Sequence, residues 1–194
     1  MGHISFYNLK ELQAKHDLKY FVETGVGNGD AIIEAQKYPF ERILSIEIME
    51  EQVKRMKEKF KDDPRVEIIL GNTLDVLPKL LDEIKVPTLF WLDAHFPGAD
   101  IGMGRHDDTS IDDETRLPLE RELLMIKNQR NGKDVVLFDD LKIYRNQGRD
   151  AWRHDIKPRH QFSSDFFFAE ILDATHNFQS SEADTGYAAL TPKK

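Results

Sequence analysis

Seven consecutive residues, Glu23-Thr24-Gly25-Val26-Gly27-Asn28-Gly29, set a carboxylate two places before three alternating glycines. Glycine accepts positive φ and has no side chain to hold a ligand off the backbone. A turn of this kind at the start of a helix adds unpaired N–H groups and the positive end of the helix dipole. Glu47 follows, 18 residues after Gly29, at the end of an apolar run. A carboxylate at that strand tip can accept hydrogen bonds from both ribose hydroxyls of an adenosine. Two more apolar runs end in acids, Phe90-Trp91-Leu92-Asp93-Ala94-His95 and Leu137-Phe138-Asp139-Asp140. Apolar strands seldom end in so many carboxylates without a use for them.

Positioning these groups falls to a repeated pattern, a short apolar run followed by a longer amphipathic stretch. Strands are expected over residues 20–23, 42–48, 66–70, 88–93 and 134–140. Helices are expected over 30–37, 50–61, 74–81 and 118–128, the second with Val53, Met56 and Phe60 on one face. Strands without clean polar alternation, separated by helices, point to a parallel sheet covered on both faces. Residues 164–175 read as a helix, and 176–180 with 186–191 as an antiparallel hairpin. The fold class is thus α/β, an open and mainly parallel sheet finished by a hairpin. Loops 96–115 and 141–163 break the rhythm. Each follows a strand's C-terminal end, the edge where open α/β sheets bind ligands, so both are candidate lids or substrate walls.

The chain has 194 residues, 40% of them hydrophobic, which suits one domain with a substantial core and excludes a disordered tail. Residues 1–194 therefore read as a single domain. Lys and Arg number 27 against 35 Asp and Glu, a formal charge of −8 that disfavours wrapping nucleic acid. The absence of cysteine excludes disulfides, thiolate metal sites and a cysteine nucleophile. The apolar run 86–92 falls far short of the ~20 residues a membrane helix needs. The N-terminus turns polar too quickly for a signal peptide. A soluble cytoplasmic protein acting on a small molecule is expected, with self-association left open.

Two adenosine cofactors suit the glycine turn. A nicotinamide dinucleotide fingerprint is G-x-G-x-x-G, and its third glycine would stand where this chain has Asp30. The spacing present is acid-x-G-x-G-x-G. In this it resembles the class I S-adenosylmethionine-dependent methyltransferases, over residues 21–144, and their Rossmann-like fold also ends in a hairpin. An anionic turn suits a cationic sulfonium and amino group better than a pyrophosphate. By this resemblance Glu23, Gly25, Gly27 and Gly29 line the methionine half, Glu47 binds the ribose, and Asn72, after the third strand, meets the adenine. A plain turn role also suits Asn72. A nicotinamide-dependent oxidoreductase and a non-catalytic Rossmann-like binding module are the alternatives.

The fourth and fifth strands are neighbours in that fold, which would crowd Asp93, His95, Asp139 and Asp140 at one edge beside the donated methyl. Carboxylates so close repel until one takes up a proton or a cation, and Mg²⁺ is the ordinary hard ion for oxygen ligands. The arrangement is similar to the metal-dependent sugar O-methyltransferases of the macrolide-tailoring type and their cephalosporin hydroxylase-like relatives. That resemblance implies Asp93, Asp139 and Asp140 as metal ligands, Asp93 also beside the cofactor, and His95 as a base acting with Asp93 on a sugar-like hydroxyl. A structural role suits His95 equally. Asp107-Asp108 and Asp112-Asp113-Glu114 read as solvated surface or as acids at a helix start. Lys142, Arg145, Arg149, Arg153, Lys157 and Arg159, with His154 and His160, make the second loop basic enough to grip an anionic substrate. Trp152 suits a lid contact or packing, and Phe166-Phe167-Phe168 suits core packing.

Overall fold

A computed structural model describes residues 3–106, 108, 110–144, 175–181, 183 and 185–193. Residues 164–174 of the helix expected over 164–175, the basic residues of the second loop beyond Lys142, Trp152 and Phe166–Phe168 lie outside the described residues.

Among the described residues the sheet has seven strands: β1 (Tyr20–Thr24), β2 (Arg42–Glu47), β3 (Val66–Leu70), β4 (Thr88–Leu92), β5 (Val135–Phe138), β6 (His176–Ser181) and β7 (Tyr187–Pro192). Their spatial order is β3-β2-β1-β4-β5-β7-β6. The first five run parallel, and β7 enters antiparallel to both β5 and β6. Connections leave β1 in both directions, so the crevice between the tips of β1 and β4 is a topological switch point.

Among the described residues the helices are α1 (Leu9–His16), α2 (Asp30–Ala35), α3 (Glu50–Lys59), α4 (Thr73–Glu83), α5 (Asp113–Arg116), α6 (Leu119–Gln129) and α7 (Leu141–Tyr144). Alternation along the strands divides the core in two. Val22, Leu44, Phe90 and Val136 pack with Leu77, Leu81, Leu123 and Ile126 of α4 and α6 on one face. Phe21, Ile43, Leu89 and Trp91 pack with Ile32, Val53, Met56 and Phe60 on the other. Each such side chain contributes about 1.5–3 kcal/mol on burial, which fixes the strand register. In that register Glu23 stands opposite Ser45 and Trp91, and Leu92 opposite Phe138. The acids that follow β4 and β5 therefore emerge side by side.

The ends of elements differ from expectation for local reasons. Strand β5 stops at Phe138 because Asp140 turns left-handed, with φ of 52°. It starts after Asp134, whose side chain is occupied by Arg130 at 2.8 Å and by the Thr88 N–H at 2.9 Å. Helix α1 was not foreseen, since only Leu9 of its eight residues is buried. Its start is set by Asn8, whose side-chain oxygen accepts from the Glu11 N–H at 3.2 Å. Just before it, the Tyr7 hydroxyl donates to the Ala188 carbonyl at 2.7 Å, tying the N-terminal segment to the β5–β7 seam. Among the described residues no helix is long and apolar enough to cross a membrane.

Candidate active site

A cleft opens at the switch point, the edge where open α/β sheets bind ligands. Gly25, Gly27 and Asn28 of the glycine turn border it, with Glu47 and Ile48 from the tip of β2 and Asn72 and Thr73 from the start of α4. Asp93, Ala94 and His95 close the other end. The first long loop lies where the strand edge put it, since Phe96, Pro97, Gly98, Asp100, Ile101 and Thr115 form the remaining wall.

The glycines divide the work of the turn. Gly25, at φ 80°, lets the tip of β4 approach, for a Cβ there would lie 2.9 Å from the Asp93 carbonyl oxygen and 3.0 Å from the Ala94 Cα. Gly27 has open space on its side-chain face, which leaves room for a ligand. Gly29 faces away, and a Cβ there would meet the Phe60 ring at 2.7 Å. Its role is to let α3 pack under the turn, so it does not border the cleft.

Glu23 also sits beneath the turn, not on the cleft wall. It is buried and accepts from the Ser45 hydroxyl at 2.5 Å. Burial first, then repulsion from Glu47 and Asp30, pushes its carboxyl up to about 8. The alternation that put Phe21 into the core carries Glu23 to the same covered face. Glu47 does border the cleft, and its Oε1 accepts from the Met49 N–H at 2.8 Å. Burial raises its proton affinity, while the N–H groups of Met49, Val26 and Ile48 pull it back. Asn72 has two duties within the fold. Its Oδ1 caps α4 through the Leu74 N–H at 2.9 Å, and its Nδ2 donates to Thr115 Oγ1 at 3.1 Å.

Asp93, His95, Asp139 and Asp140 come together as the strand order requires, and a fifth group joins them. His95 Nε2 lies 2.7 Å from Asp140 Oδ2 and 3.3 Å from Asp100 Oδ2, while Nδ1 lies 3.6 Å from Asp93 Oδ1. Burial alone would drive a proton off this imidazole, but Asp100, Asp140 and Asp93 outweigh it and hold His95 protonated well above its ordinary range. Asp140 in turn is held ionised by His95, against the opposing effect of burial. Asp93 is raised well above the carboxylate range by burial and by Asp139, which itself is pushed up to about 6.

Both oxygens of Asp139 and one of Asp140 are buried without a hydrogen-bond donor among ionised partners. That is the donor chemistry a hard cation takes. Even so, among the described residues no three His, Asp or Glu side chains converge closely enough to cage a metal ion. The side chains as placed balance their charge differently. Burial and Asp139 favour the protonated form of Asp93, and Asp100 and Asp140 favour the charged form of His95.

Sequence reasoning missed Asp100, which carries no periodic signal and reaches His95 only because the loop folds back after β4. It also missed Glu122, fully buried in α6, whose Oε2 accepts from Thr24 Oγ1 at 3.3 Å at the tip of β1. Burial pushes Glu122 up to about 7. Of the acidic run in the loop, Asp112 caps α5 by accepting from the Thr115 N–H at 2.9 Å.

No protein-family model matches this chain, and no curated protein matches it in sequence. Solved structures do resemble it in fold. A Staphylococcus aureus protein assigned as a caffeoyl-CoA O-methyltransferase superposes with a TM-score of 0.63 at 14% identity, covering 100% of this chain and 85% of that one. The S-adenosylhomocysteine-bound methyltransferase of Podospora anserina gives 0.58 at 14% identity, covering 94% and 75%. A Klebsiella pneumoniae protein assigned as an O-methyltransferase gives 0.57 at 18% identity, covering 96% and 78%.

Proposed function

We propose that this chain, which has the fold of the class I S-adenosylmethionine-dependent methyltransferases, binds that cofactor and transfers its methyl group to a hydroxyl of a small, sugar-like acceptor. One observation carries the reading: a single cleft is bordered at one end by Gly25, Gly27, Glu47 and Asn72 and at the other by Asp93 and His95. An adenosyl sulfonium compound needs a ribose acceptor and an open backbone turn, and its reacting methyl must face a proton acceptor. In the proposed pose Glu47 takes the ribose hydroxyls, Asn72 stands at the adenine, and Gly25 with Gly27 lines the methionine half. Glu23 and Gly29 support the turn from below, and Asp93 faces the sulfonium.

The chemistry is an in-line displacement. The acceptor oxygen bonds to the methyl carbon as the carbon–sulfur bond breaks, and the bonding pair stays on sulfur to give a neutral thioether. The hydroxyl proton passes to Nδ1 of a neutral His95, whose Nε2–H is fixed on Asp140. A sulfonium beside Asp93 favours this state, since a second positive charge disfavours the imidazolium and favours ionised carboxylates. Holding oxygen, methyl and sulfur in line supplies much of the acceleration.

Calorimetric titration tests the assignment. S-adenosylhomocysteine is expected to bind, and a nicotinamide dinucleotide is not. Uptake of the dinucleotide alone would establish the oxidoreductase alternative, and cofactor binding without transfer to any hydroxyl would establish a binding module. A second reading adds Mg²⁺ on Asp93, Asp139 and Asp140; the buried oxygens of Asp139 and Asp140 that lack a hydrogen-bond partner favour it, but it needs the three carboxylates to draw closer than they stand. On that reading EDTA abolishes turnover and added Mg²⁺ restores it, whereas full activity in EDTA retires the metal and leaves the methyl transfer standing.

A further inference from the structure

Helix α3 is among the most polar in the chain, yet Gln52 on it is completely buried. Its Nε2 donates to the carbonyl oxygen of Gly27, and its Oε1 accepts from Arg55 Nη1 at 3.0 Å, so the amide is held one way round. One turn and two turns further along the same face, Met56 and Phe60 fill the space left by Gly29, and Lys59 Nζ donates to the Asn28 carbonyl at 2.6 Å. The two carbonyls at the crown of the glycine turn are thus both drawn toward α3. In a trans peptide the N–H points opposite to the C=O. Fixing the Gly27 carbonyl on Gln52 therefore aims the Asn28 N–H away from α3. That N–H makes no backbone hydrogen bond among the described residues, and Asn28 borders the cleft.

We infer that Gln52 is a positioning residue, which locks the Gly27–Asn28 peptide so that its N–H faces the cleft as a donor for an anionic group of the bound cofactor. The only such group on S-adenosylmethionine and S-adenosylhomocysteine is the amino-acid carboxylate, so this inference rests on the cofactor reading above. Burying a primary amide in a helix face otherwise filled by Val53, Met56 and Phe60 costs stability unless both of its ends are used. Here both ends are used, one of them on the turn. An apolar residue would serve the packing alone, so the amide is explained by what it holds.

The test compares wild-type protein with Gln52→Glu and Gln52→Met by calorimetric titration with S-adenosylhomocysteine across pH, with thermal melts of each. Glutamate keeps the shape but donates to the Gly27 carbonyl only when protonated. Gln52→Glu is expected to bind at least about tenfold more weakly than wild type at about pH 8.5, where the new carboxylate is ionised, with the deficit shrinking as pH falls toward the ordinary glutamate value of about 4.3 and the carboxyl takes up its proton. Gln52→Met is expected to stay weak throughout while melting cooperatively. Equal affinity of Gln52→Met and wild type overturns the inference, as does a Gln52→Glu deficit that does not change with pH, since a packing defect alone would give that. A wild-type protein that takes up no S-adenosylhomocysteine overturns the cofactor reading and this inference together, whereas binding unaffected by either variant overturns this inference only.

Discussion

His95→Ala is expected to lower turnover by about 10²–10⁴-fold, the range for losing a positioned general base, while S-adenosylhomocysteine affinity changes little. The imidazole is placed by contacts that leave it one free task. Asp140 and Asp100 face Nε2, while Asp93 faces Nδ1 at 3.6 Å, beyond hydrogen-bond reach, so Nδ1 is the nitrogen open to a hydroxyl in the cleft. The same contacts raise the proton affinity of the group that must act unprotonated. His95 works as a base only above its folded pKa, so kcat/KM is expected to rise with pH along a limb above the ordinary imidazole value of about 6.5. That limb should vanish in His95→Ala and shift to lower pH in Asp100→Asn, which removes one of the charges holding the proton. Unchanged turnover in His95→Ala would move the proton acceptor elsewhere, with Asp93 and Asp100 as the carboxylates that border the cleft at that end.

Glu47→Ala is expected to weaken S-adenosylhomocysteine binding by about 1.5–3 kcal/mol, roughly 10- to 150-fold in Kd, as for losing hydrogen bonds to a charged acceptor. Two hydroxyl donors on adjacent ribose carbons can share one carboxylate, and Glu47 is the carboxylate at the tip of β2. The substitution also strips the Met49 N–H of its acceptor at 2.8 Å, so part of the loss is loosening of the β2–α3 turn. Glu47→Gln separates the two effects. It keeps an acceptor for the backbone and gives up the charge, so its affinity is expected to fall between wild type and alanine. Identical calorimetric affinity in all three proteins would take Glu47 out of the site.

What could be read from the residues alone was what lies contiguous in the chain. The glycine turn, Glu47, the acids after β4 and β5 and the strands carrying them each announce themselves within a few positions, and parallel pairing then aligns their tips. The sheet and its terminal hairpin follow from the same local patterns. Relations between distant segments were not legible. Glu23 looks like a cleft residue because it precedes the glycines, but the two-residue period of the strand turns it under the sheet to Ser45. Gly29 looks like its two neighbours, and only the position of Phe60 gives it a different task. Asp100, Gln52 and Glu122 take their meaning from partners 5, 25 and 98 positions away. Helix α1 had a readable start in Asn8 and Glu11, but too few apolar positions to form a periodic face.

The wall after β4 reaches across to the β2 side, where Gly98 packs on the Met49 sulfur and Thr115 receives the Asn72 amide. A side chain at position 98 would have to push the Met49 sulfur aside and adopt a φ of 74°, so glycine suits the closeness of that approach. The other fastening is a single neutral bond, about 1 kcal/mol net. The roof of the chamber is thus anchored to the β2 side by tight packing at one point and by a weak tie at the other.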